Sequence, residues 1–335
     1  MGHSWRWAAP LVSVVIPTRN RLEFLRSAVA SVQRQGIQNW ECIVVDDASS
    51  DGTAEWLHAL SDERIRSRSL EGHRERSATR NAGLALSNGQ YVLFLDDDDM
   101  LTKKALERLV RAITRRRSTA AVGASRRFAE NGMARRQFGH PRVQWTGEVW
   151  REAVFGWGTV PGAILFAREA LERAGGWDEK ISWAEDHDLL LRVSALGAFA
   201  FVPWTVLAYR LHGASTRARV DRSEMTDVRG RYVATLPAER SAIASPMLEA
   251  GRAFDRAEAA FRSTDLRRAQ AELRRALQLA PWVSRSILLG PSVMALRAKL
   301  ALGHLAGPRT ITSARTIRTR GRAMLMRDPD RYQGH

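Results

Sequence analysis

The chain has 335 residues, enough to bury one large core and a second, smaller one, and its 44% hydrophobic and 26% charged residues are ordinary for a soluble globular protein. A lone cysteine, Cys42, excludes an internal disulfide and fits a reducing compartment; inside an apolar run it reads as a small core residue rather than a nucleophile. The net charge is +16, no run of 18 apolar residues occurs to suggest a spanning helix, and residues 1–10 lack the apolar stretch of a signal peptide.

Residues 1–10 read as an N-terminal tail. Leu11–Ile16 is almost continuously apolar, as a parallel strand buried on both faces would be, and Pro17-Thr18-Arg19-Asn20 breaks it. Arg21–Gln35 places Leu22, Leu25, Val29 and Val32 at helical spacing. Trp40–Val45 is a second strand that stops at Asp46-Asp47; turn chemistry follows over Ala48–Gly52, then a short helix over Thr53–Leu60. Ile65–Leu70 is a weak third strand, and Ser77–Leu86 a helix stopped by Asn88-Gly89. Tyr91–Leu95 is a buried strand, followed by a helix over Thr102–Arg116 and a strand over Thr119–Gly123. This alternation predicts an α/β fold with a mostly parallel sheet flanked by helices. The phosphate-loop and dinucleotide glycine fingerprints are absent, which argues against ATP-hydrolysing and NAD-type enzymes.

Four carboxylates, Asp96-Asp97-Asp98-Asp99, follow the strand Tyr91–Leu95 without a spacer. A buried strand cannot continue into adjacent anions, so it ends there at a solvent-filled edge. Neutralising four like charges calls for a cation, and oxygen donors suit Mg²⁺ or Mn²⁺. A solvated acidic turn capping the next helix is the plainer alternative, but a cap needs one aspartate, not four. Three strands thus end in polar groups, Pro17–Asn20, Asp46-Asp47 and Asp96–Asp99, and a parallel sheet sets all three ends on one edge, where such sheets bind ligands.

Four stretches carry a resemblance: Val12–Asn20, Val44–Thr53, Ala78-Thr79-Arg80-Asn81-Ala82-Gly83-Leu84 and Phe94–Asp99. In this order and spacing they resemble the family 2 glycosyltransferases of the GT-A fold, over residues 10 to about 215. The resemblance implies an inverting enzyme that uses a nucleotide-diphosphate sugar (UDP-, GDP- or dTDP-linked) with Mg²⁺ or Mn²⁺. It implies that Asp47 contacts the base, bordered by Pro17 and Thr18, with Asn20 in the same nucleotide-binding stretch. Arg80 would lie near the diphosphate. Asp96 and Asp98 would form the DxD pair, Asp97 would lie on the nucleotide, and Asp98 or Asp99 would face the metal. Many relatives carry an aromatic where Arg19 stands; here a guanidinium could stack on the base.

Downstream, Ser125–Gln144 is polar and basic and reads as a mobile loop over the site. Trp145, Trp150 and Trp157 fit core or interface filling better than sugar stacking. Pro161–Ala167 reads as a strand and Glu169–Ala174 as a helix; Gly176-Trp177-Asp178-Glu179 again matches the family. In the following helix Leu189, Leu190 and Val193 lie three, four and seven residues after Asp186, which sets Asp186 in the first turn on the inward face. Inverting displacement needs one general base on the attacking hydroxyl and no protein nucleophile. The resemblance places that base at Asp186, with Glu185 positioning the acceptor. His187 is expected to point to solvent. After the strand Phe199–Leu207 comes His212, which matches a recurrent family histidine and is a candidate metal or phosphate ligand.

Thr216–Asp227 reads as a charged linker. Beyond Leu236 there are 18 Lys and Arg against 8 Asp and Glu, hence +10. From Glu249 the chain looks helical, and Asp265–Pro281 resembles the second helix of a tetratricopeptide repeat; one such unit cannot bury its own face. Val283–Leu305 is apolar with interspersed cations and allows peripheral membrane contact, and Pro308–His335 reads as frayed. The expected division is a GT-A domain over 11–235, with a nucleotide half 11–125 and an acceptor half 126–235, then a basic helical extension over 236–335. The expected function is inverting, metal-dependent sugar transfer to a hydroxyl of a glycan or lipid-linked acceptor, in cell-surface or secreted glycan synthesis. The expected location is cytoplasmic, with the inner face of the membrane as the place of peripheral contact. A non-catalytic nucleotide-sugar-binding adaptor is the alternative. Nucleic acid is not an expected partner, since only charge suggests it.

Overall fold

The structure is a computed structural model that describes residues 10–129, 137–138, 145–212, 222–286, 289–290 and 292–301. The N-terminal tail, most of the expected loop over Ser125–Gln144 and the stretch Pro308–His335 lie outside the described residues. The described residues divide into two compact units: 10–129, 137–138, 145–153 and the described part of 158–232 in the first, and 154–157 with the described part of 233–301 in the second.

The first unit opens with β1 (Val12–Thr18), α1 (Leu22–Gln33), β2 (Trp40–Asp46), α2 (Thr53–His58), β3 (Ile65–Ser69), α3 (Glu75–Leu86) and β4 (Tyr91–Phe94). It continues through β5 (Met100–Leu101), α4 (Ala105–Arg116), β6 (Ala120–Ala129), β7 (Gln137–Phe138), β8 (Trp145–Gly147), α5 (Trp150–Phe155) and β9 (Ile164–Ala167). Then come α6 (Arg168–Ala174), α7 (Glu185–Ser194), β10 (Phe199–Leu211) and α8 (Arg222–Ala234). The sheet order is β3-β2-β1-β4-β9-β6-β10-β5, with β7 on β6 and β8 on β10.

The expected parallel sheet holds across β3, β2, β1 and β4. Beyond β4 the sheet is mixed, because β9 runs antiparallel to both β4 and β6 while β6 and β10 are parallel. Pairing of β10 with β6 shifts register between Phe201 and Leu207, around Pro203, which has no N–H to give the ladder. The apolar side chains of β1, β2 and β4 are buried with Leu25, Val29 and Val32 of α1 and Leu106, Leu109 and Ile113 of α4, and Cys42 lies in that core. Helix α3 approaches the sheet closely: a Cβ on Gly83 would fall 2.3 Å from Val15 Cγ1, so only glycine lets α3 seat there. That seating brings Arg80, one turn earlier, to the end of β4.

Part of the expected linker Thr216–Asp227 is helix instead. Residues from Arg222 onward form α8, whose Glu224 carboxylate accepts the backbone N–H groups of Ser182 and Trp183 at 3.2 and 2.8 Å. In the second unit α9 (Ala238–Arg262) starts well before Glu249 and pairs with α10 (Leu266–Leu279) as a hairpin, followed by a helical run over 292–301. Asp265 caps α10 by accepting from Arg268 N at 3.0 Å. Among the described residues no helix is long and apolar enough to cross a membrane.

Candidate active site

At the carboxyl ends of β1, β2 and β4 the sheet opens into a cleft of about 290 Å³. Seven of the residues singled out from the sequence line it: Pro17, Thr18, Arg19, Asp47, Asp96, Asp97 and Asp98. Arg21, His73, Arg76, Thr79 and Tyr209 complete the lining; none was a candidate site residue, although Thr79 lies in the family-like stretch Ala78–Leu84. Arg21 directly follows the Pro17–Asn20 break, and that position was its signal. His73 and Arg76 lie seven and four residues before Arg80, a spacing that could have marked them as neighbours of one site.

Each acid has a defined partner. Asp47 accepts Arg74 N at 2.7 Å on one oxygen and lies 2.5 Å from His73 Nδ1 on the other. Asp97 accepts from Thr18 Oγ1 at 2.8 Å and Arg21 Nη1 at 3.1 Å. The same Arg21 nitrogen reaches Asp98 Oδ2 at 3.0 Å, an oxygen that His212 Nε2 also meets at 2.9 Å. Asp99 is buried beneath and accepts Arg210 N at 2.8 Å. Asn20 is exposed, away from the lining, and braces the loop after β2: it donates from its backbone to Ser49 Oγ and accepts Ser50 N on its side chain.

Arg80 is not at the cleft surface. The residue is 2% exposed; its guanidinium lies 4.6 Å over the Trp177 ring and bridges Asp96 Oδ1 at 2.7 Å to Glu185 Oε1 at 3.1 Å. Glu185 is buried as well, with Arg76 Nε at 3.8 Å. This ion-paired line ties the end of β4 to the first turn of α7 and so sets Asp186 within the field of Arg80 and Asp96. Burial, with the Glu185 charge beside it, pushes the Asp186 carboxyl up to about 7. Burial likewise raises Asp97 to about 6 and Asp99 well above the usual carboxylate range. His187 is buried, contrary to expectation, because α7 packs that face inward. Burial drives its pKa down to about 3, so the neutral ring donates from Nε2 to Ala153 O at 3.1 Å.

One carboxylate oxygen from each of Asp96, Asp98 and Asp99 falls within 4.8 Å of the others. Three hard oxygen donors so close fit Mg²⁺ or Mn²⁺, with His212 already on Asp98.

Residues 13–173 match the family model described as glycosyl transferase family 2. This segment belongs to glycosyl transferase family 2. A Bacillus subtilis protein, TuaG, whose name assigns it to teichuronic acid biosynthesis as a glycosyltransferase, is 35% identical over 133 residues, 39% of this chain and 53% of its own length. A Campylobacter jejuni GalNAc(5)-diNAcBac-PP-undecaprenol beta-1,3-glucosyltransferase is 38% identical over 104 residues, 30% of this chain and 34% of its own. The chain therefore spans about half the length of the first relative and about a third of the second. Among solved structures, residues 1–349 of S. aureus TarS in complex with UDP-GlcNAc align with a TM-score of 0.62 at 19% identity, covering 86% of this chain and 87% of that one. That likeness establishes the GT-A fold. The glycosyltransferase family 2 segment ends before α7, so Asp186 lies just beyond the matched residues.

Proposed function

We propose that the chain is an inverting, metal-dependent glycosyltransferase. It moves a sugar from a nucleotide-diphosphate sugar to a hydroxyl of a glycan or lipid-linked acceptor in cell-envelope polysaccharide synthesis. The transferase unit covers 11–235, a basic extension follows over 236–335, and the charge of that extension supports a peripheral position at the inner face of the membrane. The observation that carries this reading is the Asp96–Arg80–Glu185 bridge, which brings the acid cluster of β4 and the first turn of α7 to one place.

Each residue then has a task. Asp47, with Pro17, Thr18 and Arg19, receives the base; Arg21 and Arg76 bring positive charge to the diphosphate. Asp96, Asp98 and Asp99, with His212 beside them, would hold Mg²⁺ or Mn²⁺, and that cation would supply positive charge to offset the leaving diphosphate. Asp186 takes the proton from the acceptor hydroxyl; that oxygen attacks the anomeric carbon as its bond to the diphosphate breaks, with inversion. A carboxyl near 7 suits a base working at neutral pH. Glu185 and Arg80 hold α7 in register. Asp186→Asn is expected to abolish transfer while nucleotide-sugar binding, read as a thermal shift, persists. Unchanged turnover in that variant would remove the base assignment.

A further inference from the structure

Helix α10 carries arginines at 267, 268, 274 and 275. A seven-residue spacing stacks 267 under 274 and 268 under 275, two turns apart, so all four share one face. Each is exposed, and none has an ion-pair partner among the described residues. The acid within α10, Glu272, flanks that face, four residues after Arg268, but its carboxylate is taken up by Arg256 of α9 at 3.0 Å. Alongside the arginine face runs a trough of about 270 Å³ lined by Leu273, Leu277 and Leu300, with Arg274 and Arg297 among its walls. Uncompensated cations beside an apolar trough fit a ligand that is anionic at one end and hydrocarbon at the other.

We propose that this face of α10 docks the protein on an anionic phospholipid surface, with phosphates on the arginines and acyl carbon in the trough. The inference locates the membrane contact of the proposed function and rests on that reading. Charge decides against two other occupants. The remainder of this chain, 302–335, has seven arginines against two aspartates, and a second copy would present the same sign; neither would neutralise the arginine face. A soluble polyanion would satisfy the arginines but leave the leucines wet, whereas a membrane satisfies both.

The test is co-sedimentation of the full chain with vesicles of phosphatidylcholine alone or mixed with phosphatidylglycerol. Wild type is expected on the mixed vesicles and not on phosphatidylcholine. Each arginine lost should lower partitioning about fivefold, so Arg267→Gln, Arg268→Gln, Arg274→Gln and Arg275→Gln combined should lower it at least about a hundredfold. Leu277→Asn should weaken vesicle binding and leave binding of inorganic polyphosphate unchanged. The inference is overturned if the quadruple variant sediments like wild type, if phosphatidylcholine alone suffices, or if Leu277→Asn has no effect on vesicles. Thermal shifts with nucleotide sugars, read on the same variants, separate the two ideas: loss of vesicle binding with those shifts intact touches α10 alone. Absence of any nucleotide-sugar shift in wild type touches the proposed function instead.

Discussion

Arg21 uses one nitrogen for both Asp97 and Asp98 and lies in the cleft wall, which leaves its other donors available to a bound anion. Arg21→Gln should weaken whichever nucleoside diphosphate stabilises the wild type by about tenfold, the worth of one charge-assisted hydrogen bond; isothermal titration checks this, and an unchanged Kd would show that Arg21 serves the acids alone. Asp186 yields a pH prediction. Its carboxyl is raised to about 7, so the base form is a minority below that pH and kcat/KM should fall about tenfold per unit beneath it. The rising limb should vanish in Asp186→Asn. A limb near 4 would mean that Asp186 is not the titrating base. At this scale the sequence disclosed the acids, because four carboxylates against a buried strand have few solvated solutions. It did not disclose that Arg80 would be buried or His187 turned inward. Both depend on how α3 and α7 pack, which no local spacing encodes.

Strands β1, β2 and β4 were legible because each is a short continuous apolar run closed by polar residues. Strand β9 was legible as a strand but not in direction, since antiparallel insertion between β4 and β6 is decided by connections rather than by side chains. Strand β5, two residues long, exists only because β10 passes beside it. Less expected is a buried acid in a strand: Glu41 accepts from Ser13 Oγ at 2.7 Å and Asn88 N at 2.5 Å and pairs with Arg66 at 2.5 Å. It fastens β1, β2 and β3 to the turn that starts β4. Glu41→Ala should cost about 2–3 kcal/mol by stranding those donors, seen as a lower midpoint in urea with an unchanged slope. A loss under about 0.5 kcal/mol would mean water replaces the carboxylate without penalty.

For the molecule as a whole, the cleft matters more than any single residue: the ends of β2 and β4 supply its acids, the end of β1 supplies Pro17, Thr18 and Arg19, and the Asp96–Arg80–Glu185 bridge joins it to the start of α7. The second unit was only partly legible. Its helical character was read from the sequence, but the arginine face of α10 was hidden in an overall charge of +16 that made every basic stretch look alike. The central claim is that the acid cluster, loaded with a divalent cation, grips a nucleotide-diphosphate sugar. A thermal-shift panel of UDP-, GDP- and dTDP-sugars with Mn²⁺ or with EDTA, on wild type and Asp98→Asn, tests it most directly. At a hundredfold excess over Kd one of these ligands should stabilise wild type by about 2.7 kcal/mol, a rise of roughly 5–10 °C, with Mn²⁺ only and not in Asp98→Asn. No shift with any of them, or an equal shift in EDTA, would contradict it.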